Sequence, residues 1–150
     1  MDYDRDYFKG KTVIVTGGGS GIGLALIEEM LQSGAAQAVM ADINQERLNE
    51  HSARLKELYG TDRLKAIRCN VTSEEQVQDL IDQSADFFGG RIDILFNNAG
   101  GAFPGWFDDL STEDWKIAFD LNFYSALYGC RAVLPIMKAQ GSGQRRDYLV

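Results

Sequence analysis

Thr16-Gly17-Gly18-Gly19-Ser20-Gly21-Ile22-Gly23, TGGGSGIG, puts five glycines between the apolar run Thr12-Val13-Ile14-Val15 and the segment Leu24-Ala25-Leu26-Ile27-Glu28-Glu29-Met30-Leu31. The first run has the β-branched character of a buried strand, and the second has its apolar residues at helical spacing, so the glycines form a strand-to-helix turn. Glycine lets backbone N–H groups approach a phosphate without a Cβ in the way, and the helix N-terminus adds partial positive charge. A tight turn with no ligand would use the same residues, so the decision falls to spacing. The nearest P-loop frame, Gly18 to Gly23, is followed by Leu24 where a lysine is required, which disfavours a nucleoside triphosphatase. A GxGxxG frame fails at Ile22 or at Leu24, leaving Gly17-x-x-x-Gly21-x-Gly23.

Outward from this turn, apolar strands and amphipathic helices alternate. Gln37–Asp42 reads as a second strand, and a helix from Asn44 carries Leu48, His51, Leu55 and Leu58 on one stripe before Gly60 stops it. Leu64–Cys69 is a third strand, and Thr72-Ser73-Glu74-Glu75 has capping-box form ahead of a helix that buries Val77, Leu80, Ile81 and Phe88. Gly89-Gly90 end that helix, and Ile92–Phe96 is a fourth strand. A long helix opens at Ser111 and carries Trp115, Phe119, Asn122, Ala126, Cys130, Val133 and Met137, with Pro135 expected to kink or shorten it. The order βαβαβαβα predicts an α/β fold with a Rossmann-like, doubly wound parallel sheet of four to five strands.

Composition narrows the function. A net charge of -7 and a pI near 4.6 disfavour nucleic acid and anionic membrane as partners. No apolar run reaches the ~20 residues of a membrane span, and MDYDRDYFKGK lacks a signal-peptide core, so a cytoplasmic location is expected. Cys69 and Cys130 fall in apolar patterns and are expected in the core. With His51 as the single histidine and no CxxC, a zinc site of ordinary type lacks ligands, and His51 reads as structural.

Asp42 closes the second strand, where a carboxylate can accept hydrogen bonds from both hydroxyls of an adenosine ribose and repel a 2′-phosphate. NAD is therefore expected over NADP. The alternative use of Asp42 is to cap the next helix.

With Asp42 in place, the sequence resembles the short-chain dehydrogenase/reductase (SDR) family in its classical form. The resemblance rests on Thr16-Gly17-x-x-x-Gly21-Ile22-Gly23, Asp42, Asp93-Ile94-Leu95-Phe96-Asn97-Asn98-Ala99-Gly100, Asn122 and Arg131–Met137, in that order. It implies that Gly17, Ser20, Gly21, Ile22 and Gly23 line the pyrophosphate and that Asp42 binds the adenosine ribose. Asn70-Val71 stands where the family has Asp-Val beside the adenine, and Asn98, Ala99 and Gly100 would lie near the nicotinamide ribose. Asn122 would bend its helix and hold a water in the proton relay, the one catalytic role assigned.

The family's substrate-orienting serine and its Tyr-x-x-x-Lys pair have no counterpart here. Tyr7 and Lys11 have that spacing but precede the first strand, at the end of the sheet away from the ligand side. Gln144–Val150 falls where a fifth strand is expected. The resemblance thus implies a C-terminally truncated, single NAD(P)-binding domain over residues 1–150, inactive alone. In the full enzyme a small secondary alcohol would be oxidised or a ketone reduced. The competing expectation is a non-catalytic NAD-binding module that pairs with full-length relatives. Either could form a homo-oligomer through the Ser111–Gln140 helix. Phe103, Trp106 and Phe107 would either border a substrate pocket or pack on their own helix.

Overall fold

The computed structural model describes residues 5–141 and 144–147. After a 3-10 turn at Arg5–Phe8, the elements run β1 (Thr12–Thr16), α1 (Gly21–Gln32), β2 (Gln37–Asp42), α2 (Gln45–Tyr59), β3 (Leu64–Arg68), α3 (Glu74–Phe87), β4 (Ile94–Asn97), α4 (Thr112–Phe119), a π-helical turn (Asp120–Tyr124), α5 (Ser125–Ala139) and β5 (Gln144–Asp147). All strand pairings are parallel, in the order β3-β2-β1-β4-β5. Residues 148–150 of the expected fifth strand, and the charged residues 1–4, lie outside the described residues.

Alternate residues of each strand feed two cores. On one face Val13, Val15, Ala38, Met40, Ile94 and Phe96 pack with Ile27, Met30 and Leu31 of α1 and Leu48 and Leu55 of α2. On the other, Ile14, Val39, Ala41 and Leu95 pack with Val77, Leu80 and Ile81 of α3 and Val133 and Met137 of α5. This is the doubly wound arrangement. The strand order turns back between β1 and β4, and that reversal opens a crevice beyond their carboxyl ends.

Several local expectations are corrected. Leu58 is 64% exposed, because Leu48, Ser52 and Leu55 already fill the buried stripe of α2. The cap of α3 is Ser73, whose hydroxyl accepts from Gln76 N–H; Gln76 in turn accepts from Asn70 N–H, so no reciprocal box forms around Thr72. Ile92 stays buried but stands before β4, where Gln140 imitates a neighbouring strand by bonding both its N–H and its carbonyl. The helix expected from Ser111 is one rod only after a π-turn resets its register, and Trp115 and Phe119 are exposed on it. Pro135 neither ends nor shortens α5, which continues to Ala139. Cys69 is buried, whereas Cys130 is only partly so. Among the described residues no helix is long and apolar enough to cross a membrane.

The entry ends of β1 and β4 are tied by one buried carboxylate. Asp93 Oδ2 accepts from Thr12 N–H at 3.0 Å and from Thr12 Oγ1 at 3.3 Å, while Arg91 pairs with Oδ1. Burial alone would raise the Asp93 pKa, but these donors outweigh it and hold the carboxyl below its ordinary 3.8. A carboxylate more acidic in the folded chain stabilises it fully above the unfolded value and loses that contribution as pH falls below it. Replacing Asp93 by Ala should cost about 2 kcal/mol at neutral pH, because Thr12 N–H is left buried without an acceptor. Urea unfolding from pH 7 to pH 3 checks this: the difference between wild type and variant should shrink with acidification.

Candidate functional site

The crevice holds a cavity of about 630 Å³ over the carboxyl ends of β1, β2 and β4, within the usual range of ~300–1,000 Å³ for small-molecule sites. Every site residue expected from sequence lines it: Gly17, Ser20, Gly21, Ile22 and Gly23 from the first turn, Asp42 from β2, Asn70 and Val71 after β3, Asn98, Ala99 and Gly100 after β4, and Asn122 from the π-turn.

Thr16 holds the two principal loops together. Its hydroxyl donates to Phe96 O at 3.3 Å and accepts from the N–H groups of Asn98 and Ala99, each at 3.1 Å. The Asn98 side chain returns a bond to Thr16 O at 2.9 Å. Gly17 follows with φ of 66°, a left-handed conformation open to glycine at little cost. Helix α1 then starts so close to the turn that a Cβ on Gly23 would lie 2.1 Å from Gly17 O.

Ser20 caps α1 without a side-chain cap bond, and the first turn carries no acidic residue. Among the described residues no protein acceptor meets the N–H groups of Gly21, Ile22 or Gly23. An α-helix leaves such donors unsatisfied at its start, and here they border the cavity with the positive end of the dipole. The donor set fits an anionic phosphate group.

Asp42 is fixed by two backbone donors, Gly19 N–H at 3.0 Å to Oδ2 and Asn44 N–H at 2.9 Å to Oδ1. It does not cap α2; Asn44 does, accepting from Arg47 N–H. Two bonds leave acceptor capacity on a carboxylate, which offers about four lone-pair sites. Gly19 is required for this contact, since a Cβ there would stand 2.9 Å from the carboxylate. Asn70 Oδ1 is occupied by Thr72 N–H and Thr72 Oγ1, which leaves its NH₂ as the donor for a ligand.

Asn122 joins the loop after β4 to the helix. Its Oδ1 accepts from Gly101 N–H, and its Nδ2 donates to Gly101 O and Ala118 O, all at 3.0 Å. The π-turn disturbs the regular carbonyl ladder, and the Asn122 amide supplies Ala118 O with a donor at that break. This accounts for an amide in the helix.

Sequence reasoning missed Ile43, Arg47, Cys69, Gly101, Ala102 and Leu121 as cavity residues. Cys69 is chemically quiet there, because burial first, and then Asp79, push its thiol up to about 11. Arg47 reaches the cavity from the first turn of α2, a contact that the residue spacing alone does not announce. Phe103, Trp106 and Phe107 do not line the cavity. Trp106 and Phe107 are each 80% exposed, and Phe107 packs on Trp115 of α4. Tyr7 and Lys11 form a cation–π pair at the entry side of β1, opposite the cavity. His51 is half-buried on α2, and no metal-binding cluster occurs among the described residues.

Replacing Asn122 by Ala removes the two bonds that hold Gly101 beside the cavity and the one to Ala118 O. The expected result is a loss of about 1–2 kcal/mol in urea unfolding and faster amide exchange at Gly101. Unchanged exchange there would show that the loop is held by other contacts.

Comparison with known proteins places these features. A sequence profile described as "short chain dehydrogenase" matches residues 11–144. The 7alpha-hydroxysteroid dehydrogenase of Escherichia coli strain K12 is 36% identical over 134 residues, covering 89% of this chain and 51% of that protein. An uncharacterized oxidoreductase of Staphylococcus aureus strain USA300 is 36% identical over 133 residues, covering 89% and 55%. Among solved structures, a short chain dehydrogenase/reductase from Burkholderia phymatum in complex with NAD superposes with a TM-score of 0.87 at 31% identity, covering 93% of this chain and 49% of that one. The NADPH-dependent 3-quinuclidinone reductase from Rhodotorula rubra gives 0.87 at 34% identity, covering 98% and 55%. The chain spans about half the length of these relatives. With a profile matching most of its length and solved members superposing over more than nine-tenths of it, the chain belongs to the short-chain dehydrogenase family.

Proposed function

We propose that these 150 residues are the dinucleotide-binding part of an oxidoreductase that takes NAD(H). In the whole protein the nicotinamide would accept hydride from a secondary alcohol or return it to a ketone. The observation that carries this reading is the convergence on one cavity of three groups: the free N–H donors of the α1 start, the fixed Asp42 carboxylate, and the Asn98–Gly100 loop. The α1 donors would hold the pyrophosphate, with Ser20 beside them. Asp42 would accept from the adenosine ribose hydroxyls, and its charge favours NAD over NADP. Asn70 and Val71 would border the adenine. Asn98, Ala99 and Gly100 would take the nicotinamide ribose, and Asn122, by fixing Gly101, would keep that end in shape and contribute to the proton relay. A cytoplasmic location belongs to the same reading.

A second reading, a non-catalytic module that pairs with longer relatives or with itself, is favoured by one observation. Ile117, Phe119, Phe123 and Leu127 are exposed apolar side chains along α4, the π-turn and α5, a patch of the kind that marks association surfaces.

Fluorescence titration of the chain with NADH, and NADPH in parallel, separates the possibilities. Saturable NADH binding, weaker NADPH binding and no oxidation of secondary alcohols by the isolated chain are expected. Failure to bind either nucleotide would contradict the proposal. In sedimentation velocity the second reading requires a dimer or mixed complex, which Phe119→Asp should dissociate; a monomer at all concentrations would exclude self-pairing.

A further inference from the structure

At the end of the cavity that would take the nucleobase, Asn70 offers a ligand a hydrogen-bond donor and no side-chain acceptor. It lines that end with Ile43, Cys69 and Val71. Its side-chain oxygen accepts from Thr72 N–H at 3.1 Å and from Thr72 Oγ1 at 2.9 Å, and Thr72 is not part of the cavity wall. A backbone N–H can be met only by an acceptor, so this contact fixes which amide atom is the oxygen and leaves Nδ2 for a ligand. Gln76 Oε1 accepts from Asn70 N–H at 2.9 Å, and Asn70 O accepts from Ser73 N–H at 3.1 Å, so the residue is tied on both sides. Among the described residues Val71 N–H meets no protein acceptor, which adds a second donor at the same wall. The Cys69 thiol is turned onto Gln76 O, and Ile43 and Val71 bring apolar side chains.

We propose that Asn70 sets the choice of nucleobase, and that the site takes a dinucleotide whose purine carries a carbonyl at C6 more readily than the adenine one. The inference rests on the dinucleotide reading above and deepens it from the ribose to the base. Adenine bears an amino group at C6, beside each ring acceptor of the edges that carry C6. Using such an acceptor brings the amino N–H groups against the Asn70 amide, donor to donor. Hypoxanthine carries O6 next to N7, as guanine does, and so offers two acceptors to the Asn70 and Val71 donors. An aspartate at position 70 would keep one oxygen for Thr72 and present the other as an acceptor, the partner that the adenine amino group needs. The family resemblance puts an aspartate at this place, so the donor lies where this chain departs from it.

The test titrates wild type, Asn70→Asp and Asn70→Ala by fluorescence with NADH and with reduced nicotinamide hypoxanthine dinucleotide, with circular dichroism melts to verify folding. The ratio of the two Kd values is read, because the added charge of an aspartate weakens both anionic nucleotides alike. Wild type should bind the hypoxanthine nucleotide about three- to fivefold more tightly, the size of one neutral hydrogen bond made against one unmade. Asn70→Asp should reverse the order, and Asn70→Ala should bring the two Kd values within about twofold of each other. Equal binding by wild type, or tighter binding of NADH, would overturn the inference, and this comparison needs no variant to fold. A folded Asn70→Asp that keeps the wild-type ratio, or a preference that persists in Asn70→Ala, would overturn it by assigning the discrimination to another group. Failure of the wild type to bind either nucleotide would instead defeat the dinucleotide reading, and the inference with it.

Discussion

Thr16 is the point on which the site depends. One hydroxyl at the end of the central strand accepts two backbone N–H groups from the loop after β4 and donates to Phe96 O within β4. Asn98 returns the contact. The glycine turn and the Asn98–Gly100 loop belong to distant parts of the chain, and this small network fixes their separation. Each bond is worth about 1 kcal/mol, but their common effect is geometric, because the cavity is the gap they leave between the loops.

Around that hub the chain removes side-chain volume where approach must be close and adds polar fixation where a group must hold still. Gly23 brings helix α1 against the turn, and Gly19 brings a backbone N–H against Asp42. Gly129 does the same on the opposite face: a Cβ there would lie 2.2 Å from Asn97 Oδ1, so α5 can dock on β4 only at glycine. Asp42, Asn70 and Asn122 are each held by backbone partners before any ligand arrives. Such preorganisation lowers the ordering cost of binding.

The sequence was most legible where period and chemistry agreed. β2 runs over Gln37–Asp42 as its apolar pattern indicates, and the α3 stripe of Val77, Leu80, Ile81 and Phe88 is buried throughout. Legibility failed where a tertiary neighbour decided the outcome. Leu58 fits the α2 stripe, yet no core element reaches it. The π-turn at Asn122 depends on a loop 21 residues away in sequence, which local periodicity cannot report. The cavity lining was readable because the glycine spacing, Asp42 and the Asn pair announce themselves in the chain, whereas Arg47 enters through a side chain long enough to cross from another element.

Hydrogen–deuterium exchange of the chain with and without NADH tests the central claim, that the glycine turn, Asp42 and the Asn98–Gly101 loop form one binding unit. The account predicts added protection together at Gly17–Gly23, at Asp42–Asn44 and at Asn98–Gly101, with none at Tyr7–Lys11 on the opposite end of the sheet. Protection confined to one of these segments, or centred on Tyr7–Lys11, would contradict it.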